Sequence, residues 1–319
     1  MRVFVAGAGG AIGLRLVPAL VGAGHSVVGM IRSPGKAEAI RASGGKPVLA
    51  DALDEQAVVA AVKHAEPEVV VHELTALPSR INLRRFDRAF EVTNRLRREG
   101  TDHLVAAARA AGARRLVAQS FAGWPYAREG EALKSEQDPL DPTPPPGFRK
   151  TLDAIRYLET TVLGAEGLEG VALRYGPFYG PGTSIAEGGS LVEGGSLVED
   201  LRRRRVPVVG DGDGMWSFLH VDDAAQATLA AIERGPPGIY NVVDDEPAPV
   251  SEWLPALAAA VDAKPPRRVP VWLARLAIGE HGVAMMTEIL GASNAKAKRE
   301  LGWQPTWTSW REGFRAGLS

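Results

Sequence analysis

Short apolar runs recur along the chain. Residues 3–6, 26–31, 47–50, 69–72, 115–119, 171–175 and 238–243 are each brief and largely apolar, and are bounded by glycine or turn formers. That is how strands buried on both faces read. Between the earlier runs, apolar positions return at helical spacing near residues 12–23, 54–64, 86–111 and 151–166. Strand-helix alternation of this kind predicts an α/β fold with a doubly wound parallel sheet, covered by helices on both faces.

After Tyr175 the pattern changes. Residues 176–215 are rich in glycine and hold a tandem hexad, Glu187 to Val192 repeated as Glu193 to Val198. One duplication is too short for a solenoid; it reads as a loop insertion or a lengthened first turn of the helix leading into residues 202–205. Residues 125–149 contain six prolines and read as a long functional loop. The expected division is a dinucleotide-binding domain over 1–175, joined again by 218–245, and a smaller substrate domain over 176–217 and 246–319.

Composition narrows the chemistry. The chain has 319 residues, 45% of them hydrophobic, enough for a sizeable core. With no cysteine, thiolate nucleophiles, disulfides and cysteine-ligated metals are excluded. A formal net charge of −1 gives no bulk attraction to nucleic acid or anionic lipid. The arginines at 80–98 are interleaved with Asp87, Glu91 and Glu99 at helical spacing and read as a solvated face with i,i+4 pairs. No apolar run approaches the roughly 18–20 residues that span a bilayer. A cytoplasmic protein acting on a small molecule, without nucleic acid, membrane or metal, is expected.

Gly7, Gly10 and Gly13 follow the first strand and open a helix. In that context Gly7 permits the turn, Gly10 lets a pyrophosphate approach the backbone, and Gly13 allows close packing of helix on sheet. Ala11 and Ile12 lie in the same turn. The second strand ends at Arg32-Ser33, with Lys36 close behind, where an NAD-binding protein usually carries a carboxylate. A guanidinium there suits a 2′-phosphate, so NADP is favoured over NAD. Asp51 and Ala52 follow the third strand, where the carboxylate can reach an adenine amino group. Asp54 is the better N-cap for the next helix.

These segments, with Glu99-Gly-Thr101, Arg115 to Ser120, Leu173 to Gly182, Phe218 to Asp223, Tyr240-Asn-Val242 and Ala297 to Trp303, occur in one order. As an ordered set they resemble the extended short-chain dehydrogenase/reductases of the NAD(P)-dependent epimerase/dehydratase group, over nearly the whole chain. The resemblance implies a Rossmann-like domain with a small C-terminal substrate domain. It also implies a homodimer formed through the helices near 86–111 and 151–166, and Leu74, Thr75 and Ala76 passing over the cofactor.

The likeness breaks at the catalytic pair. The family carries Tyr-x-x-x-Lys on one helix face, where the lysine lowers the tyrosine pKa for proton exchange with substrate. None of the five tyrosines here has lysine four residues on. Aligned, Thr151 stands in the tyrosine slot and Ile155 in the lysine slot. Phe121 takes the usual serine slot, one residue after Ser120. Arg97 stands where an asparagine is common, with Asn94 a turn earlier. Pro177 and Trp216 replace polar residues that nucleotide-sugar enzymes use, which points to a less anionic, cyclic or aromatic substrate.

Ser120, Tyr126 and Tyr175 are the candidate catalytic groups. Ser120 and Tyr175 are also candidate cofactor contacts. Trp124, Tyr126, Pro177, Tyr179 and Trp216 are candidate pocket walls. His220 with Asp222 and Asp223 reads as a helix start with two capping carboxylates rather than a metal site. The expected activity is that of an atypical NADP-preferring oxidoreductase or epimerase/dehydratase acting on a small carbonyl or alcohol. A non-catalytic NADP(H) sensor and a non-redox lyase or cyclase are the alternatives.

The cofactor assignment is open to a direct check. Calorimetric titration should show NADPH binding more tightly than NADH, with the difference collapsing in Arg32→Ala. Binding of neither nucleotide would remove the oxidoreductase expectation.

Overall fold

The computed structural model describes residues 1–77, 81–186 and 197–318. Seven strands form one parallel sheet. They are β1 (Arg2–Ala6), β2 (Ser26–Ile31), β3 (Lys46–Leu49), β4 (Val69–His72), β5 (Arg115–Phe121), β6 (Glu169–Tyr175) and β7 (Gly238–Val242). Their order across the sheet is β3-β2-β1-β4-β5-β6-β7. The order reverses between β1 and β4, which leaves a crevice at the carboxyl ends of those strands, the usual ligand position in such sheets.

The main covering helices are α1 (Gly13–Gly22), α2 (Glu55–Ala65), α3 (Thr101–Ala110), α4 (Arg149–Leu163) and α5 (Val221–Glu233). The two-residue alternation of strands sorts side chains between the faces. Val3, Val5, Val69, Val71, Leu173 and Tyr175 pack with α1 and α5. Phe4, Ala6, Val70, Leu116 and Ala118 pack with α2, α3 and α4.

The helical stretch expected over 86–111 is not continuous. It runs as Phe86–Ala89, Glu91–Arg95 and a π-helical turn Leu96–Gly100 before α3. The π turn coincides with an inward Arg97, 7% exposed, whose Nη1 donates to Asn94 Oδ1 at 3.4 Å. A further helix, Ala37–Ala42, is too short to show a period in sequence.

A second core gathers Tyr179, Phe218, Trp253, Trp310 and Phe314 with aliphatic residues of the 185–209 and 248–286 segments. Ala297, Leu301 and Trp303 do not join it; they pack into the first core, so this part of 246–319 sits with the seven-stranded sheet. The duplicated hexad lies mostly outside the described residues; its last two positions open the helix Leu197–Arg202. α6 (Val271–Thr287) bends at Gly279, where φ is 72°. A Cβ there would stand 3.2 Å from Arg84 Cα, so the bend lets α6 lie against residues 83–85.

The start of α5 corrects the two-carboxylate cap. His220 is the N-cap, and its Nδ1 accepts from Asp222 N at 3.2 Å. Asp223 is buried instead and accepts from Thr306 N and Trp307 N at 2.8 and 2.9 Å, tying the C-terminal segment down. Asp222 pairs with Arg15 of α1. Asp54 does cap α2, accepting from Ala57 N at 3.1 Å.

α4 is fixed to the sheet by a buried ion pair. Arg174 Nε and Nη2 donate to the two carboxylate oxygens of Glu159 at 2.7 and 2.6 Å. Removing one partner of such a pair leaves a buried charge uncompensated, at a cost of about 3–5 kcal/mol. Arg174→Met should therefore lower the urea midpoint by a corresponding amount. An unchanged midpoint would show that water already solvates Glu159.

Candidate active site

β1 runs straight into the glycine loop. Gly7 adopts φ 95°, and the amides of Gly7 and Ala8 both donate to Met30 O at 3.2 Å. A Cβ on Gly7 would stand 2.5 Å from Glu73 O at the end of β4, and one on Gly13 would stand 2.5 Å from Gly7 O. Either position would therefore push the loop out of shape if substituted. At Gly10 the nearest atom to such a Cβ is Gly7 O at 3.3 Å, so no side chain fills that side. Among the described residues, no backbone carbonyl takes the amides of Ala11, Ile12 or Gly13. Ile12 supplies no side-chain cap to α1. Free donors at a positive helix end, with open space at Gly10, fit a pyrophosphate.

Arg32 and Ser33 are exposed and Lys36 is half-buried, and no described carboxylate pairs with either cation. Lys36 Cβ would stand 3.2 Å from a Cβ on Gly9, so this cation borders the loop. Asp51 is exposed, and its Oδ1 accepts from Leu53 N at 3.0 Å. Ala52 is buried, with its carbonyl 2.9 Å from His103 Nδ1. After β4, Leu74 N donates to His72 Nδ1 at 3.3 Å. Ala76 exchanges two hydrogen bonds with the Thr93 hydroxyl at 3.1 and 3.0 Å. The segment is thus pinned on both sides of an exposed Thr75.

The candidate proton donors are placed differently from expectation. The Ser120 hydroxyl donates to Glu159 Oε1 at 2.6 Å and is buried. Tyr126 does not line the cleft. It is 1% exposed, donates to Asn241 Oδ1 at 2.6 Å and accepts from Arg174 Nη1 at 2.9 Å. Burial pushes its pKa up to about 12. Tyr175 is fully buried on the α5 side, with its hydroxyl 2.6 Å from Thr228 Oγ1 and 3.2 Å from Glu73 Oε1. Tyr179 is a core residue of the second body, packed edge-on against Phe218, His220 and Phe314. In each case one local fact decides the outcome: a tyrosine buried this deeply has its ring taken by packing before its hydroxyl can reach a cleft.

The slots themselves hold no acid. Thr151 Oγ1 donates to Asp87 Oδ1 at 2.8 Å and accepts from Asn94 Nδ2 at 3.0 Å. Ile155 is 2% exposed. Phe121 is half-exposed, and its ring centroid lies 4.0 Å from that of Trp124. Trp216 is half-buried, donates from Nε1 to Met285 O at 2.8 Å and packs on Trp253 and Phe218. Pro177 is half-buried, and its carbonyl accepts from Leu219 N at 3.1 Å.

One group, His281, escaped the sequence reading. Glu73 follows β4, is 4% exposed, and has Oε2 unpartnered among the described residues. Burial pushes its pKa up to about 8. His281 comes from α6, far away in sequence, and stacks on Phe148 with ring centroids 4.3 Å apart. Burial, with Arg128 nearby, lowers its pKa to about 3, so it is neutral at physiological pH.

A model of the NAD dependent epimerase/dehydratase family matches residues 3–242. The chain belongs to that family. It is 47% identical over 317 residues to a 3-diazoavenalumate denitrifying reductase of a Streptomyces species, covering 98% of this chain and 99% of the relative. It is 30% identical over 274 residues to a 2-alkyl-3-oxoalkanoate reductase of Stenotrophomonas maltophilia, covering 82% and 76% of the two chains. The structure of Thermus thermophilus UDP-glucose 4-epimerase in complex with NAD superposes with a TM-score of 0.72 at 26% identity, over 100% of this chain and 98% of that one. The protein is therefore an NAD(P)-dependent oxidoreductase or epimerase with a nicotinamide dinucleotide cofactor.

Glu73 sets a pH dependence. Its folded pKa lies above the ordinary value of 4.5, so the unfolded chain releases this proton first as pH rises. Its contribution to stability is complete below about pH 4.5 and is lost as pH rises towards about 8. Glu73→Gln should flatten the fall in unfolding free energy across that window. An unaltered slope in denaturant titrations would mean that the carboxyl is solvated.

Proposed function

We propose that the protein is an NADPH-dependent reductase that delivers hydride to an arenediazonium group and releases dinitrogen. The observation that carries this reading is the commitment of Ser120, Thr151 and Tyr126, the described hydroxyls at or beside the acid slots, to partners inside the protein. Ser120 bonds Glu159, Thr151 bonds Asp87, and Tyr126 bonds Asn241. Ile155 stands where a lysine would lower a phenol pKa.

Reduction of a ketone creates an alkoxide that must be protonated, and an enzyme gains rate by placing an acid there. An arenediazonium ion makes no such demand, because its leaving group is already cationic and departs as a neutral gas. The bound nicotinamide supplies the hydride, in a balance of arenediazonium plus NADPH giving arene, dinitrogen and NADP+. The chain's own residues need only bind, orient and exclude water.

The walls suit that task. Phe121 and Trp124 are half-exposed aromatic residues, and aromatic faces attract a cation. A lysine at position 155 would repel it. Arg32 and Lys36 are unpaired beside the glycine loop and match a 2′-phosphate, which supports NADPH as the donor. The reductases among the relatives support the redox class, and the diazo compound in the name of the 47% identical relative supports the leaving group.

The decisive measurement uses NADPH deuterated at C4 of the nicotinamide and a simple arenediazonium salt. Deuterium should appear at the ring carbon that lost nitrogen, with one dinitrogen released per NADPH consumed. Protium at that carbon, or reduction of ketones with no diazonium turnover, would replace this reading with that of an ordinary ketoreductase.

A further inference from the structure

α6 changes character at its bend. Beyond Gly279 the residues from His281 to Met286 are buried, whereas three large apolar side chains of the first two turns stand in solvent. Trp272 is 65% exposed, Leu276 62% and Leu273 44%. Val271, Ala274 and Ile278 turn inward onto the second core. Positions 272, 273, 276 and 277 therefore share the opposite arc of the helix, and Ala277 on that arc is exposed as well. Single exposed leucines are ordinary, but a tryptophan and two leucines on one arc form a patch.

The rim of this patch is cationic. Residues 263–279 contain Lys264, Arg267, Arg268 and Arg275 and no acidic residue. All four cations are exposed. Arg204 reaches the same turn, where its Nη2 donates to Pro265 O at 3.5 Å. On the other side Arg84 Nη1 donates to Leu276 O at 2.7 Å, which sets its guanidinium against the second turn of α6. Arg275 pairs with Glu280 at 2.9 Å, and Asp211 is exposed next to Arg268, which donates to its carbonyl. Among the described residues, no carboxylate pairs with Arg84, Arg204, Lys264, Arg267 or Arg268. The net charge of −1 thus hides a local segregation of charge.

Apolar side chains ringed by unpaired cations match a bilayer surface with anionic headgroups. The tryptophan and leucines enter the acyl boundary while the cations stay with the phosphates. A stable protein interface takes about 20–30 residues a side, far more than this arc and its rim supply. Interfacial binding has no such minimum, because each inserted side chain and each cation adds to it. We propose that the first two turns of α6, with Arg84 and the 264–268 turn, dock the protein on an anionic lipid surface. The helix lies in the plane of the interface; no described helix is long and apolar enough to cross a membrane. Past its bend the same helix stacks His281 on Phe148, so the docking face belongs to the element that backs the ring cluster. The proposal does not depend on the reaction.

The test is co-sedimentation of the full chain with vesicles of phosphatidylcholine and of an equimolar phosphatidylcholine and phosphatidylglycerol mixture. The protein should bind the mixed vesicles at least about tenfold more tightly than the neutral ones, and added salt should release it. Trp272→Ser and Leu276→Ser should each weaken that binding about tenfold through lost insertion. Lys264→Gln combined with Arg267→Gln should weaken it about fivefold for each cation removed. These side chains are exposed, so the variants should keep the wild-type melting temperature, measured alongside. No binding to the mixed vesicles, equal binding to both kinds, or binding unchanged in Trp272→Ser would overturn the proposal. A concentration-dependent dimer that Trp272→Ser dissolves, with no vesicle binding, would overturn it too and give the face to a second copy of the chain.

Discussion

The bidentate pair between Arg174 and Glu159 constrains everything around the acid slots. Two charges taken out of water persist only if their remaining hydrogen-bonding capacity is met. Here the carboxylate takes a third bond from Ser120, and the guanidinium gives one to the Tyr126 hydroxyl. Tyr126 passes on to Asn241, whose Nδ2 donates to Lys134 O at 3.3 Å. The network joins β5, β6, β7, α4 and the proline-rich loop. It also consumes the two hydroxyls that looked most available for chemistry. A residue that satisfies a buried charge cannot also give its proton to a substrate without unbalancing the core.

The cofactor side answers to a different constraint, the contact of Gly7 with the backbone of Glu73. That approach closes β1 against β4 and turns α1 so that its first amides face outward. α1 is then tied to α5 and to the loop after β6. Arg15 pairs with Asp222 at the start of α5, and donates to Pro181 O at 2.7 Å and to Ala11 O at 3.0 Å. One guanidinium thus spans the glycine turn, the loop after β6 and α5. The glycine turn and the loop after β6 are held in one register.

What the sequence reveals follows the range of the interactions concerned. The strands, the glycine turn and the Asp54 cap depend on neighbours within a few residues, so their pattern is readable. The absence of a Tyr-Lys pair is equally local and survives in the structure as Thr151 and Ile155. Side-chain destinations are not local. Nothing near Tyr126 announces Arg174 and Asn241, and nothing near Tyr175 announces Thr228. The His220 cap was hidden because carboxylates at a helix start usually take that role, whereas Asp223 is drawn away by two amides of the C-terminal segment. His281 lies in a helix without a clear amphipathic pattern, since the bend at Gly279 gives its two halves different neighbours. Only the packing of α6 on residues 83–85 brings the ring to Phe148.

The loss of the acid pair and the gain of aromatic rings are one change seen twice. A phenol and an ammonium at the slots need water or polar partners beside them, and rings such as Phe121 and Phe148 would strip those partners away at a cost. Once the slots hold Thr151, bonded to Asp87, and Ile155, the neighbouring positions are free to become apolar. Arg128, which depresses the His281 pKa, is held by Asp141 and Glu288. What remains is a ring-lined region with two polar atoms, Trp124 Nε1 and His281 Nε2, unpartnered among the described residues.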